Sequence, residues 1–348
     1  MDFTFTEEQQ AAESLAEQIF QARGTVERVK AVEASDERVD RDLWADLATS
    51  NLLGLVLPED VGGSGFGLTE LALILEQQGR VVAPVPLLAT VGSAMAIAEF
   101  GTAEQRKTWL PGVVSGEVVL TAALEPGLAS VPAAHVAARV IVPEGDGRLG
   151  LVDPRGAGVT LATAKTTSRE IVGHLAIDDA AAIETLGGDE ASLSAEAWLR
   201  GRWMVGLCAL QVGVAGAALR LAADYTSNRQ QFGKPLSTFQ GVALKAADAY
   251  IAIECTRATM LQAAWLLDEG RDATEEVLVA KWWAAECGHR VGHIAQHLHG
   301  GIGADIDYPV HRYFLWGKQL EVTLGGASET LAALGRQLAA RPPGGSTS

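Results

Sequence analysis

The sequence predicts three successive parts: a helical N-terminal domain, a small middle β domain and a C-terminal four-helix bundle. Two changes of texture predict it. Up to about residue 116 apolar residues recur at helical spacing, and between 118 and about 181 short β-branched runs alternate with Gly, Pro and Asp turns. From about residue 191 the helical pattern returns, now in four long, closely spaced segments that suit a bundle. The boundaries fall at 1–116, 117–188 and 189–340, and the Pro-Gly-Ser-rich tail at 341–348 is expected to be disordered.

Taken in order, Thr6-Glu7-Glu8-Gln9 has the residues of a capping box, with Thr6 capping and Gln9 reaching back. Leu43, Leu47, Leu52 and Leu53 then read as one amphipathic run that stops at Leu57-Pro58-Glu59. Gly62-Gly63-Ser64-Gly65 is a loop, residues 68–79 resume helical periodicity, and Pro84 and Pro86 break the chain before an apolar helix at 88–100. Strands are expected at 118–121, 140–142, 149–152, 159–161 and 172–177, as one antiparallel β domain. The bundle helices are expected at 195–227, 239–268, 274–299 and 309–338.

Composition narrows the function. Of 348 residues 48% are hydrophobic, which is enough for a large core. The 27 basic and 43 acidic side chains give a formal charge of −16, which argues against nucleic acid or an anionic membrane as partner. Cys208, Cys255 and Cys287 have no metal-type spacing, and an odd number argues against a disulfide framework. The start, Met1 to Gln10, lacks the basic and apolar regions of a secretory signal. The uncharged runs 81–98 and 203–219 read as buried core helices rather than membrane spans, because prolines break the first and the second is short and carries Gln211. A cytoplasmic protein is expected.

Four motifs in this frame carry a resemblance. They are Asp2-Phe3 with Thr6-Glu7-Glu8-Gln9; Leu52-Leu53-Gly54-Leu55 through Pro58-Glu59 to Gly62-Gly63; Arg229 through Phe232-Gly233 to Phe239-Gln240; and His299-Gly300-Gly301-Ile302-Gly303 followed by Asp307-Tyr308-Pro309 and Arg312-Tyr313. In order and spacing these resemble the acyl-CoA dehydrogenase family over nearly the whole chain. The resemblance implies an acyl-CoA dehydrogenase-like fold, FAD as cofactor and an acyl-CoA substrate. It also implies that Arg229, Phe232, Gln240, Gly300 and Gly301 grip the adenine and pyrophosphate end of an FAD bound largely by a neighbouring subunit. The chemistry suits that role: a guanidinium offers a rigid fork of donors to phosphate, and glycine lets backbone approach it closely. Taken without Arg229, Gly300 to Gly303 reads better as a helix stop, and it is no dinucleotide fingerprint because it does not open a helix after a strand.

The departures from the family pattern matter as much. Removing the α-proton of a thioester needs a carboxylate base. The family's Tyr-Glu-Gly-Thr run falls on Thr323-Leu324-Gly325-Gly326, and its alternative base site falls near Trp203, so neither position can accept a proton. Glu321, Glu329 and Glu196 remain as outside candidates, read as exposed helix carboxylates. The family's Thr-Glu-Pro, whose threonine contacts the flavin ring, is here Leu124-Glu125-Pro126. Ser130 stands at a substrate-contacting serine behind Ala129, and the Trp-Ile-Thr strand is missing from a shortened β domain. His297 replaces a flavin-contacting glutamine.

The chain thus resembles the base-less subunit of actinobacterial α₂β₂ heterotetrameric steroid side-chain acyl-CoA dehydrogenases, whose second subunit carries the base. The substrate implied is a bulky, steroid-type CoA thioester. Two other readings stand beside this one: a self-sufficient homotetramer with a displaced base, and a helical interaction protein without chemistry. His289, His293 and His297 share a helix face at a spacing compatible with metal, but no acidic residue completes a metalloprotease pattern and no metal site is expected. Trp282-Trp283 reads as packing or interface.

Overall fold

The computed structural model describes residues 4–340, so Asp2, Phe3 and the 341–348 tail lie outside the described residues. Six helices build the N-terminal part: α1 (Glu7–Arg23), α2 (Val26–Ala34), α3 (Arg41–Thr49), α4 (Leu68–Arg80), α5 (Leu87–Phe100) and α6 (Ala103–Val114). The capping box at α1 forms as expected, with Gln9 N donating to Thr6 Oγ1 at 3.2 Å and Thr6 N donating to Gln9 Oε1 at 2.9 Å. The leucine run from 43 to 57 is not one helix. α3 stops at Thr49, and Asn51 adopts φ +55°. The remaining leucines are buried from a tight turn closed by Leu57 N to Gly54 O. Burial sets the leucine spacing there, whatever the local backbone.

Seven strands follow: β1 (Leu120–Ala122), β2 (Val131–Pro132), β3 (Arg139–Pro143), β4 (Leu149–Val152), β5 (Val159–Lys165), β6 (Ile171–Ile177) and β7 (Ile183–Thr185). They form two sheets, ordered β1-β3-β4-β7 and β2-β6-β5. The expectation of a purely antiparallel domain fails at one pair, since β1 and β3 run parallel with Leu120 opposite Arg139. The chain between them crosses into the second sheet as β2 before returning, which reverses it twice. β2 and β7 are two and three residues long, too short to show alternation in sequence.

The C-terminal part comprises α7 (Ala195–Asn228), a hairpin of β8 (Gln230–Gln231) and β9 (Lys234–Pro235), α8 (Gln240–Asp268), α9 (Thr274–His299), α10 (Val310–Val322) and α11 (Ala327–Ala339). The fourth expected bundle helix is therefore two. Leu324 at φ +54° and Gly325 at φ +106° turn the chain between α10 and α11, and α11 packs on α9 outside the α7–α10 bundle. By length and composition α7 could cross a membrane, but 67% of its most apolar stretch is buried inside the protein.

Two devices join the domains. α4 and α7 cross so closely that a Cβ on Gly79 would sit 2.4 Å from Leu210 O, and one on Gly213 would sit 2.1 Å from Glu76 O. Only glycine fits there. Asp268, the last residue of α8, caps the start of α4 by accepting from Leu68 N at 2.7 Å, Thr69 N at 2.9 Å and Thr69 Oγ1 at 2.7 Å. Asp268→Ala is expected to lower stability by about 0.5–2 kcal/mol, the range for a lost helix cap. Urea unfolding followed by circular dichroism measures it; a midpoint equal to the parent's would show that water replaces this cap without cost.

Candidate functional site

Both positions implied for the base are part of the apolar core. Leu324 is 6% exposed and Trp203 4%, and Leu124, at 3%, joins the same cluster. Trp203 reaches into α5, where a Cβ on Gly92 would lie 2.6 Å from its Nε1. The turn that carries Leu124 is tied down on both sides. Arg200 Nη2 donates to Leu124 O at 2.5 Å, and Leu324 N donates to the Glu125 carboxylate at 2.6 Å. Apolar side chains and a tied-down turn thus fill the join of the middle domain and the bundle, where the resemblance implies the crevice for flavin ring and substrate.

Two of the three outside carboxylates, Glu321 and Glu196, lie beside cations. Glu321 accepts from Lys318 Nζ at 2.6 Å and lies 3.5 Å from His289 Nδ1, so the expectation of an exposed group is corrected to a partly buried, paired one. Its neighbours along α10 supply the cation, which sequence spacing alone did not weigh. Glu196 is also half-buried, 3.7 Å from Arg200, whereas Glu329 is exposed at the start of α11. His289 and His293 meet edge to face with ring centroids 4.8 Å apart. Burial, reinforced by the neighbouring His289 and Lys318, pulls the His293 pKa below its ordinary value. Among the described residues no three His, Cys, Asp or Glu side chains converge on a metal position. Cys208 and Cys287 are buried thiols whose pKa is pushed up to about 12, mainly by burial.

The residues implied for the cofactor are arranged differently, at an open corner. Arg229 ends α7 with its amide on Tyr225 O at 2.8 Å, and its carbonyl accepts from Leu236 N at 2.9 Å, which closes the hairpin. Phe232 stands at the hairpin tip with φ +55° and is 91% exposed. Its ring meets Phe239 edge to face at 6.2 Å, and Lys234 Nζ lies 4.4 Å over Phe239. Gln240 is the first residue of α8, where unpaired helix amides favour an anion. Gly300 leaves α9 at φ +64°, and neither Gly300 nor Gly301 has a heavy atom within 4 Å of a would-be Cβ. His297 is exposed on the last turn of α9.

Sequence reasoning missed what brings the two motifs together. Tyr225, one turn before Arg229, stacks on buried His299 at 4.9 Å, and His299 meets Tyr308 at 5.2 Å. Three aromatic rings thus seat the arginine corner beside the glycine corner over an apolar patch of Ala218, Ala222, Ala295 and Leu298. Three aromatics scattered over 84 positions give no periodic signal. Ser130, by contrast, lies in the middle domain just before β2, exposed and at φ +52°. The open corner, with a free guanidinium fork, a helix start and uncrowded glycines, fits the phosphate end of a flavin.

Domain models agree with this architecture. The acyl-CoA dehydrogenase N-terminal domain matches residues 6–117 and the acyl-CoA dehydrogenase C-terminal domain matches residues 193–338. Acyl-CoA dehydrogenase FadE27 of Mycobacterium tuberculosis is 37% identical, over 98% of this chain and 100% of the relative. Among solved structures, the ChsE4-ChsE5 complex from M. tuberculosis aligns with TM-score 0.93 and 36% identity, over 98% of this chain and 100% of that one. A variant of the Tcur3481-Tcur3483 steroid ACAD aligns with TM-score 0.90 and 45% identity, over 96% of this chain and 98% of that one. Fold and domain models together define the class as acyl-CoA-acting oxidoreductases with a helical, β and helical-bundle architecture. Within it, the chain belongs to the acyl-CoA dehydrogenase family.

Placing a carboxylate at position 324, where the resemblance implies a base, should not create chemistry. Leu324→Glu places an acid among apolar neighbours, where it stays protonated or loosens the core. The variant is expected to melt at a lower temperature than the parent and to show no dye-linked acyl-CoA oxidation. Turnover gained without loss of stability would mean that the crevice is a working site lacking only its base.

Proposed function

We propose that this chain is a subunit of a heteromeric acyl-CoA dehydrogenase that lacks the catalytic base and completes the FAD site of a partner subunit. The observation that carries the reading is the burial of Leu324 and Trp203, at 6% and 4% exposure, in one apolar core where a base would be required. The open corner supports the other half of the reading. There Arg229, Phe232, Gln240, His297, Gly300 and Gly301 face outward and would hold the adenine and pyrophosphate of a partner's FAD. The structural relatives named as two-chain assemblies, ChsE4-ChsE5 and the Tcur3481-Tcur3483 steroid ACAD, support a second, base-carrying acyl-CoA dehydrogenase subunit in an α₂β₂ arrangement.

The reaction of the assembly is α,β-dehydrogenation of a CoA thioester, with a steroid-type acyl group as the substrate that the Tcur3481-Tcur3483 steroid ACAD suggests. FAD supplies the acceptor for the β-hydride. This chain's residues bind and orient, and Ser130 is the one position proposed to touch substrate. The domain division at 116/117 and 188/189 and a cytoplasmic location complete the reading.

Three measurements test it. The purified chain alone should carry no FAD, whereas co-expression with a base-carrying partner should yield one complex with the flavin absorption band; stoichiometric FAD and acyl-CoA oxidation in the isolated chain would refute the reading. Arg229→Ala in the assembled complex should weaken FAD binding by about 10- to 150-fold, the worth of about 1.5–3 kcal/mol for a charge-assisted bond. Flavin titration reads this, and an unchanged affinity would make Arg229 a structural residue. Finally, Glu321→Gln, Glu329→Gln and Glu196→Gln should each leave turnover within about tenfold of the parent complex. A fall of about 10²–10⁴-fold in one of them, with flavin content intact, would identify a displaced base.

A further inference from the structure

A cavity of about 360 Å³ lies where α2, the β5–β6 turn and the start of α10 meet, and the proposed function gives it no role. Its size falls in the range of small-molecule sites. Three cations from three elements line it: Lys30 of α2, Arg169 of the turn and Arg312 of α10. Two carboxylates stand among them. Glu33 accepts from both arginines at 2.8–3.2 Å, and Asp307 lies 3.1 Å from Lys30 Nζ. In a chain of formal charge −16, the lining therefore holds one positive charge more than its carboxylates neutralise.

The donors are not all used. Arg312 is 4% exposed and directs Nε and Nη2 at Glu33, while its Nη1 is buried with no hydrogen-bond partner. A charged donor left unmet away from water is costly, so an oxygen bound there would be stabilised. Arg169 is fixed in the wall by its backbone, at φ +68° with its carbonyl accepting from Arg38 Nη1 at 2.6 Å. Lys30 is held less firmly: its partner Asp307 is 84% exposed, and such a surface pair contributes little. We propose that this cavity binds a small organic carboxylate, with its oxygens on Arg312, Arg169 and Lys30 and its apolar part against Ile306. One surplus positive charge suits one negative charge, and a planar two-oxygen group suits guanidinium donors. A phosphate monoester, at about −1.5 to −2, would bring further negative charge close to Glu33 and Asp307. The site shares no residue with the open corner or with the join at Leu324, so it stands whether or not the partner-subunit reading does.

Thermal melting of the purified full chain tests the site, with butyrate as the probe and chloride at equal ionic strength as the control. Butyrate should raise the melting temperature saturably, as a ligand of the folded state does. Its apparent affinity should fall by about tenfold or more in Arg169→Gln, which removes one charge-assisted bond. Lys30→Gln should weaken it in the same direction. Arg312→Lys keeps the charge but not the Nη1 donor, and should abolish the butyrate shift; if that variant does not fold, Arg169→Gln and Lys30→Gln decide. Inorganic phosphate should shift the parent less than butyrate does. No rise over chloride leaves the cavity to water and overturns the site. A rise with the same midpoint in parent and variants places butyrate elsewhere and overturns it equally. A larger rise with phosphate, lost in Arg169→Gln, overturns the carboxylate assignment.

Discussion

The crossing of α4 and α7 at Gly79 and Gly213 is the constraint on which the remaining geometry depends. Backbone meets backbone there, with Leu210 O and Glu76 O standing where side chains would otherwise be. Such a contact fixes both the angle and the register of α7, a helix of 34 residues. One end of α7 then carries Trp203 into the core beside α5. The other end delivers Arg229 to the hairpin and Tyr225 to the ring of His299. A shift along α7 would move both ends together, so closed crevice and open corner are set by one helix.

Charge is placed to reinforce this joint. Glu33 of α2 accepts from buried Arg312 of α10 at 2.9–3.2 Å and from Arg169 in the β5–β6 turn at 2.8 Å, which ties all three domains at one carboxylate. Glu76 of α4 is paired with Arg80 and with Arg257 of α8 in the same manner. Buried ion pairs add little net stability, because desolvation offsets much of their attraction, but one left half-made is costly. Their effect is to make one domain arrangement better than its neighbours.

The two places where the family pattern implies a site differ in exposure. At the join of the middle domain and the bundle, Leu124 and Leu324 are buried and Glu125 accepts from the Leu324 amide. At the corner, an exposed arginine and uncrowded glycines remain, although exposure of Phe232 at φ +55° is unfavourable for the isolated chain.

Much was legible in the sequence, for reasons that are local. Helical and strand periodicity, the Thr6 capping box and the paired arginine and glycine motifs depend on residues within a turn or two of each other, so the order of domains and the family could be read directly. What only the tertiary structure decided is long-range. It split the last bundle segment at Leu324, because the corner is shaped by Glu125 and Lys281 from other elements. It made one strand pair parallel, because the chain passes through a second sheet between them. It joined the two cofactor motifs through Tyr225, His299 and Tyr308, residues with no shared period. Local pattern records which face of an element is apolar. Which element meets that face is fixed only when the whole core packs, and there the burial of Leu324 and Trp203 closed the crevice.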